Sequence, residues 1–391
     1  MKNIVYITEN LDFFSDSGAK IKTLNTLRCL SSEFHITVLS LNSSNVINHK
    51  KLKTFKNIDF EYVVDKNIEI PIKKRFLELI YFYIKGIPYY FFQYKNKKFN
   101  NLVSKKIKEI EPNIIHIDHL TMAQYLPKKK NCVWIYEEHN IEYKLRFQMA
   151  KFSKKIGYHW IIWLFEGILL YFKEINTWKK FDHIFAISKE DQIFILNKTK
   201  RNNVFLQNIY VSINPRKKQP NNKNILFIGD LEWLPNRNGV EWFIKKIFPK
   251  LKNVKLNIVG KVDKKFKKNN QQKNIIFWDY QKKIDKFYEN NEIFIVPLHI
   301  GEGIRLKILD AFSKKIPVVS TQQGTKGTFV KHKSELYIAS SDQEFSNYIN
   351  NILNKKNETK TILNRAILYL KSNHSYEENK KFIKKYQKFI N

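Results

Sequence analysis

The 391-residue sequence predicts an α/β chain of two domains, each a parallel sheet flanked by helices. Two observations carry that prediction. Short apolar runs such as NIVYIT, NILFIG and EIFIVPL recur along the chain, and each leads through a turn into a helix-spaced segment. Composition agrees, because 43% hydrophobic and 15% aromatic residues over this length suffice for two cores.

The first domain opens with a strand over residues 3–8, a helix over 20–30 and a second strand over 35–41. The loop ENLDFFSDSGAK between strand and helix has one glycine, Gly18, a turn residue by composition. Residues 75–94 are rich in Phe and Tyr and break at Gly86-Ile87-Pro88. A helix is expected over 98–110, a strand over 113–117, and another strand ending near Tyr136. That last strand puts Glu138, His139 and Asn140 at its carboxyl end, the edge at which open α/β sheets bind ligands. His139 fits either of two roles there, a hydrogen bond to a sugar hydroxyl or a cap on the next helix.

Residues 143–180 read as mostly helical. Their aromatic and basic section, 151–173, suits either an anionic membrane surface or core packing. Residues 183–188 form a strand that enters a helix with Ser188 as N-cap, and residues 204–208 form the last strand. Polar SINPRKKQPNNK, residues 212–223, reads as a linker. The predicted division is therefore 1–212, 213–372 and a terminal amphipathic helix within 373–391.

In the second domain a strand ends at Gly229 and a helix begins near Asn236. Further strands are expected at 256–260 and 274–278, with Trp278 either stacking on a ligand ring or packing internally. Residues 292–327, EIFIVPLHIGEGIRLKILDAFSKKIPVVSTQQGTKG, organise the domain as strand, two-glycine bend, helix, strand and Gly-rich loop. The helix is expected from Ile304, about three turns long. Its apolar side is Ile304, Ile308, Leu309, Ala311 and Phe312, with Asp310 opposite beside Lys307 and Lys314. Arg305 and Lys307 fall in its first turn, where cations oppose the helix dipole by roughly 0.3–1 kcal/mol each. An anion at that helix start removes the conflict, and a diphosphate is the natural candidate. Glu302 and Asp310 are then suited to sugar or ribose hydroxyls rather than to the phosphates.

Seventy basic against thirty-six acidic residues give a net charge of +34, which favours acidic partners. Abundant Lys, Asn, Ile, Phe and Tyr together also fit a coding bias. Cys29 and Cys132 show no metal or redox spacing and suit a reducing compartment. The start MKNIVYITENLD lacks the apolar core of a signal peptide. The longest apolar region, residues 158–172, is interrupted by Glu166-Gly167 and is too short to span a bilayer, so no transmembrane helix is expected and the cytoplasm is the expected location.

The organising stretch resembles the signature of retaining family-4 glycosyltransferases, in which an acid and a second acid flank seven residues. Here the pair is Glu302 and Asp310-Ala311, with Asp in place of the usual Glu. GEGIRLK, PVVST and GTKG, with the W-x-P-N-x-x-G pattern of Trp233, Pro235, Asn236 and Gly239, resemble a bacterial branch tied to envelope polysaccharides. The resemblance implies the GT-B fold, two Rossmann-like domains facing a cleft, with the terminal helix crossing back to the first. It implies transfer from a nucleotide-diphosphate sugar to a saccharide or lipid-linked acceptor. Gly229, Gly303, Arg305 and Lys307 are then the diphosphate site, Glu302 holds the sugar, Asp310 the ribose, His139 contacts the sugar, Trp278 approaches the base, and Gly18 lies in an acceptor or phosphate loop. Asp230 stands where the family commonly has Arg, and Ala19 where it often has a second Gly; Arg237 is a further candidate cation. No D-x-D triplet occurs, so neither metal nor cofactor is expected. An epimerase of the same architecture is the alternative enzyme. A basic nucleic-acid- or membrane-binding protein is the non-enzymatic one, although no nucleic-acid module is recognisable.

Overall fold

The computed structural model describes residues 1–14, 18–69, 76–153, 159–217, 220–281, 283–354 and 356–390. Part of the loop before Gly18, Arg75, residues 154–158 of the aromatic and basic section and two linker positions, 218–219, lie outside the described residues. The chain divides into two compact units, Met1–Ile209 with Glu377–Asn391, and Tyr210–Tyr376.

The first unit is built on seven parallel strands: β1 (Lys2–Glu9), β2 (Phe34–Asn42), β3 (Ile58–Val64), β4 (Ile114–Ile117), β5 (Val133–Glu137), β6 (His183–Ala186) and β7 (Val204–Leu206). Their spatial order is β3-β2-β1-β4-β5-β6-β7. The second unit has six parallel strands: β8 (Asn224–Ile228), β9 (Lys255–Val259), β10 (Ile275–Trp278), β11 (Ile293–Val296), β12 (Val318–Thr321) and β13 (Tyr337–Ala339). Their order, β10-β9-β8-β11-β12-β13, repeats the 3-2-1-4-5-6 pattern of the first. In both sheets the winding reverses beside the first strand, so a ligand crevice is expected at the carboxyl ends of β1 and β4 and of β8 and β11.

The apolar runs form these strands because both sheet faces are covered by helices; every residue of β4, β11 and β12 is buried. β3 and β13 are edge strands that the sequence pattern does not announce. β3 has no fully buried residue and β13 has only three residues, so neither carries a solid apolar run. Ser188 caps the helix Lys189–Thr199 as expected, its Oγ accepting the Asp191 amide at 3.0 Å. The aromatic segment forms the helices Phe76–Ile84 and Tyr89–Gln93 on either side of Gly86-Ile87-Pro88. The terminal helix Tyr376–Ile390 buries Phe382, Ile383 and Tyr386 against Ile4, Tyr6 and Phe185 of the first unit. Among the described residues no helix is long and apolar enough to cross a membrane.

Gly239 explains one fixed point of the second unit. A Cβ there would lie 2.4 Å from the Pro297 carbonyl oxygen, so the helix Leu234–Trp242 touches the chain leaving β11. Gly239→Ala is expected to lower the urea midpoint of unfolding. Overpacking costs roughly 1–3 kcal/mol, which outweighs the ~1 kcal/mol of helix propensity that Ala adds.

Candidate active site

In the second unit, the chain leaving β11 turns through Gly301 and Gly303, with φ of +126° and +73°. A Cβ on Gly301 would lie 2.6 Å from the Arg305 guanidinium, so the glycine makes room for that side chain. The helix here is Leu306–Ser313, eight residues long, which corrects the expected start at Ile304 and length of three turns. Arg305 has φ −93° and ψ 82°, outside helical values, and stands at the N-cap. It therefore leaves the first turn, where only Lys307 of the two cations remains. Its buried guanidinium turns back on the bend, Nη1 donating to the Glu302 carbonyl at 2.5 Å and the Gly303 carbonyl at 3.3 Å.

Lys307 lies below the carboxyl end of β8. Its ammonium donates to Asn236 Oδ1 at 2.9 Å, and Asn236 Nδ2 donates to the Asp230 carbonyl at 2.8 Å. A Cβ on Gly229 would meet both the Lys307 ammonium and Asn236 at 2.8 Å, so the glycine shapes this pocket. Burial, then the nearby Arg305 charge, pull the Lys307 ammonium down to about 7. Two cations thus share a desolvated spot. Glu302, nearly fully buried, pairs with Lys326 at 2.5 Å, and Gly327 packs on Gly303, a Cβ there falling 3.0 Å from its oxygen. Asp310 accepts from Tyr288 Oη at 2.7 Å, and burial raises its carboxyl.

In the first unit the carboxyl ends of β1, β4 and β5 carry a buried polar cluster centred on Asp118. Asp118 Oδ2 accepts from Thr8 and Thr23, both at 2.7 Å, and Oδ1 accepts from His139 Nε2 at 2.7 Å. That bond fixes the His139 tautomer and leaves Nδ1 as its acceptor atom. His119 stacks on His139 with centroids 4.1 Å apart. Burial, then Lys22 and His119, lower His139 to about 4, so it is neutral at pH 7. Burial also works against the His119 charge, but Glu9 and Asp118 overcome it and raise His119 to about 9. Asp118 likewise ionises against its burial, held well below the usual range by both imidazoles.

A His119 value near 9, above the ordinary 6.5, stabilises the fold fully below pH 6.5 and loses that contribution as pH climbs to about 9. The melting temperature of the protein is therefore expected to approach that of His119→Gln between pH 6 and 10, measured by calorimetry. Asp118, His119 and His139 also bring three ligand-type atoms within 4.8 Å, as do His116, Asp118 and Glu137. The second trio is already closed by hydrogen bonds, whereas in the first His119 Nδ1 is buried with no hydrogen-bond partner among the described residues. In the second, Glu137 accepts from Thr26 at 2.8 Å and Tyr6 at 3.2 Å and pairs with Lys22 at 3.2 Å.

Residues 222–355 match the family model of glycosyl transferases group 1. The second unit is a glycosyltransferase domain. The fold of the whole chain is GT-B. Sucrose-phosphate synthase from Thermosynechococcus elongatus aligns with a TM-score of 0.75 at 13% identity, covering 99% of each chain. HepE from Anabaena, in complex with UDP and glucose, aligns with a TM-score of 0.69 at 13% identity, covering 99% of this chain and 100% of that one. A Klebsiella pneumoniae protein described as an uncharacterized 44.6 kDa protein in the cps region is 24% identical over 408 residues, 98% of each chain.

Within the glycosyltransferase domain the structure brings together Gly229, Glu302, Gly303, Arg305 and Lys307. Trp278 stands two strands away at the end of edge strand β10, its indole N–H donating to Asn257 at 3.0 Å and its ring edge-on to Phe287. Arg237 is taken up by Asp263 and lies over the Phe266 ring, which removes it as a candidate anion ligand. Gly18 opens the helix Gly18–Leu30. Asp118, His119, Glu9 and Lys326 are functional candidates that the sequence reading omits. The signal for the first three was their place directly at strand ends beside the winding reversal; for Lys326 it was the GTKG loop itself.

Proposed function

We propose that the chain is a retaining glycosyltransferase of family 4 that moves a sugar from a nucleotide-diphosphate donor to a hydroxyl, in cell-surface polysaccharide synthesis. The observation that carries the donor assignment is Lys307, held near neutrality beside Arg305 at the β8–β11 reversal. A diphosphate there restores the lysine charge and offsets the repulsion between the two cations. Glu302, oriented by Lys326, holds the donor sugar, and Asp310 with Tyr288 is assigned to the ribose. His139, neutral and oriented by Asp118, accepts a hydrogen bond from a sugar hydroxyl. Trp278 keeps an exposed ring face for the base. The acceptor is a saccharide or a lipid-linked saccharide, and the relative from a cps region supports the surface-polysaccharide setting. Contact with an anionic membrane from the cytoplasmic side belongs to the same reading.

The test is a thermal-shift screen against nucleotide sugars, since a ligand bound by the native state raises the melting temperature. The hit is then turned over with saccharide acceptors, and the anomeric configuration of the product is read by NMR. No shift with any nucleotide sugar, or an inverted product, refutes the reading. Arg305 and Lys307 supply the positive charge that a metal supplies in D-x-D enzymes. A chelator is therefore expected to leave the transfer rate unchanged; loss of activity restored by manganese contradicts that.

A further inference from the structure

The helix His159–Trp178 is built inside out. Three of its polar residues face inward: Glu166, Glu174 and Thr177 are buried, while Lys173 and Asn176 are exposed. Its outward stripe is apolar, with Ile161, Phe165, Ile168 and Phe172 recurring at helical spacing, Phe165 52% and Phe172 61% exposed. The buried acids have structural work. Glu166 accepts the amides of Tyr89 and Tyr90 at 2.9 and 2.8 Å, and Glu174 accepts those of Glu142 and Tyr143, both at 3.0 Å. Each acid thus caps the start of a neighbouring helix. Gly167 is inward for a different reason, since a Cβ there would lie 2.6 Å from the Phe147 ring.

The helix Phe76–Ile84 lies alongside, its Tyr83 hydroxyl donating to the Ile162 carbonyl at 3.4 Å. It repeats the pattern, with Leu77, Ile80, Tyr81 and Ile84 exposed at spacings of three and four; Leu77 is 82% and Ile84 81% exposed. Glu166 ties the pair together, because the helix it caps follows directly after Gly86-Ile87-Pro88. Eight large apolar side chains are therefore exposed on two helices joined through Tyr83 and, by way of the helix that Glu166 caps, through Glu166. Solitary exposed apolar residues are ordinary, but two adjoining stripes are not.

Charge says what covers this face. Lys85 follows the first stripe, with its ammonium 4.3 Å from the Tyr81 ring, and Lys173 adjoins Phe172 in the second. Lys151 is exposed on the preceding helix, Glu142–Ser153, and the chain as a whole carries +34. An anionic lipid surface suits both parts, the acyl boundary taking the apolar stripes and the headgroups the cationic rim. We infer that the outward faces of Phe76–Ile84 and His159–Trp178 form a platform that lies in the interface of an anionic membrane. The platform deepens the membrane contact proposed above, and the tests of the two are separable.

The experiment is vesicle flotation of the full chain. Phosphatidylglycerol-containing vesicles are expected to carry the protein upward, with at least tenfold less binding to pure phosphatidylcholine or in high salt. The triple variant Ile84→Glu, Phe165→Glu, Phe172→Glu is expected to stay at the bottom with an unchanged melting temperature and nucleotide-sugar shift. Serine at the same three positions replaces glutamate if that variant fails to fold. The platform is overturned if wild type ignores anionic vesicles or if the folded variant floats like wild type. It is equally overturned if wild type is a dimer in solution that the variant dissociates, which would make a second copy the occupant. A wild type that floats but binds no nucleotide sugar leaves the platform standing and refutes the transferase assignment instead.

Discussion

Glu302→Gln is expected to lower sugar transfer by about 10²–10³-fold while nucleotide-diphosphate affinity changes only a few-fold. The carboxylate sits on a two-glycine bend, nearly fully buried, with Lys326 at 2.5 Å from one oxygen. Glutamine keeps the shape and can still accept from Lys326, but it loses the charge that grips a sugar hydroxyl. The variant also leaves Lys326 poorly compensated, so the melting temperature must be measured beside the rate. Lys326→Met separates the two effects. If Lys326 orients the carboxylate, Lys326→Met costs less than Glu302→Gln, and the double variant costs no more than Glu302→Gln alone, because coupled residues are not additive. Transfer that survives Glu302→Gln with only a lower melting temperature would make the pair structural and remove Glu302 from the chemistry.

The parts of this molecule that were legible in its sequence are those that local chemistry dictates. Solid apolar runs announced the central strands, since a parallel strand is covered on both faces. Edge strands β3 and β13 need only one partner and partial burial, so they carry no such run. The spacing of Glu302, Arg305, Lys307 and Asp310 located the donor-side elements, but not which way the cations turn. Arg305 was expected in the first turn of the helix; its non-helical backbone instead folds the guanidinium back onto loop carbonyls. His139 could be read from its place at a strand end, whereas its dependence on Asp118 could not. The two are 21 residues apart and meet only because β4 and β5 are neighbours in the sheet. The apolar segment interrupted by Glu166-Gly167 offered two readings, and neither anticipated that the interruption is the inward side. Burial of a carboxylate is unfavourable unless it is hydrogen-bonded, and only the fold supplies the two amides that satisfy it.

Lys307→Met is expected to weaken nucleotide-sugar binding by about 10- to 150-fold, the equivalent of one hydrogen bond to a charged group at roughly 1.5–3 kcal/mol. The more telling readout is protons. In the free protein Lys307 titrates at about 7, below the ordinary 10.5, because it is buried beside Arg305. A bound diphosphate offers the opposite charge and returns the lysine toward its ordinary value. At pH 8 the free lysine is mostly neutral, so binding takes up about 0.9 proton; at pH 6 it is already charged, and uptake falls to about 0.1. A nucleotide sugar carries no phosphate group that titrates in this range, so the protons belong to the protein. Calorimetry in buffers of different ionisation enthalpy measures the uptake directly. The sign follows from the linkage. Affinity should drop with rising pH, by up to about tenfold per unit between 7 and 10, and Lys307→Met should abolish both the slope and the uptake. Binding that is independent of pH in the unaltered protein would mean that the diphosphate lies away from Lys307, and that this lysine serves only to hold Asn236 and the turn after β8 in place.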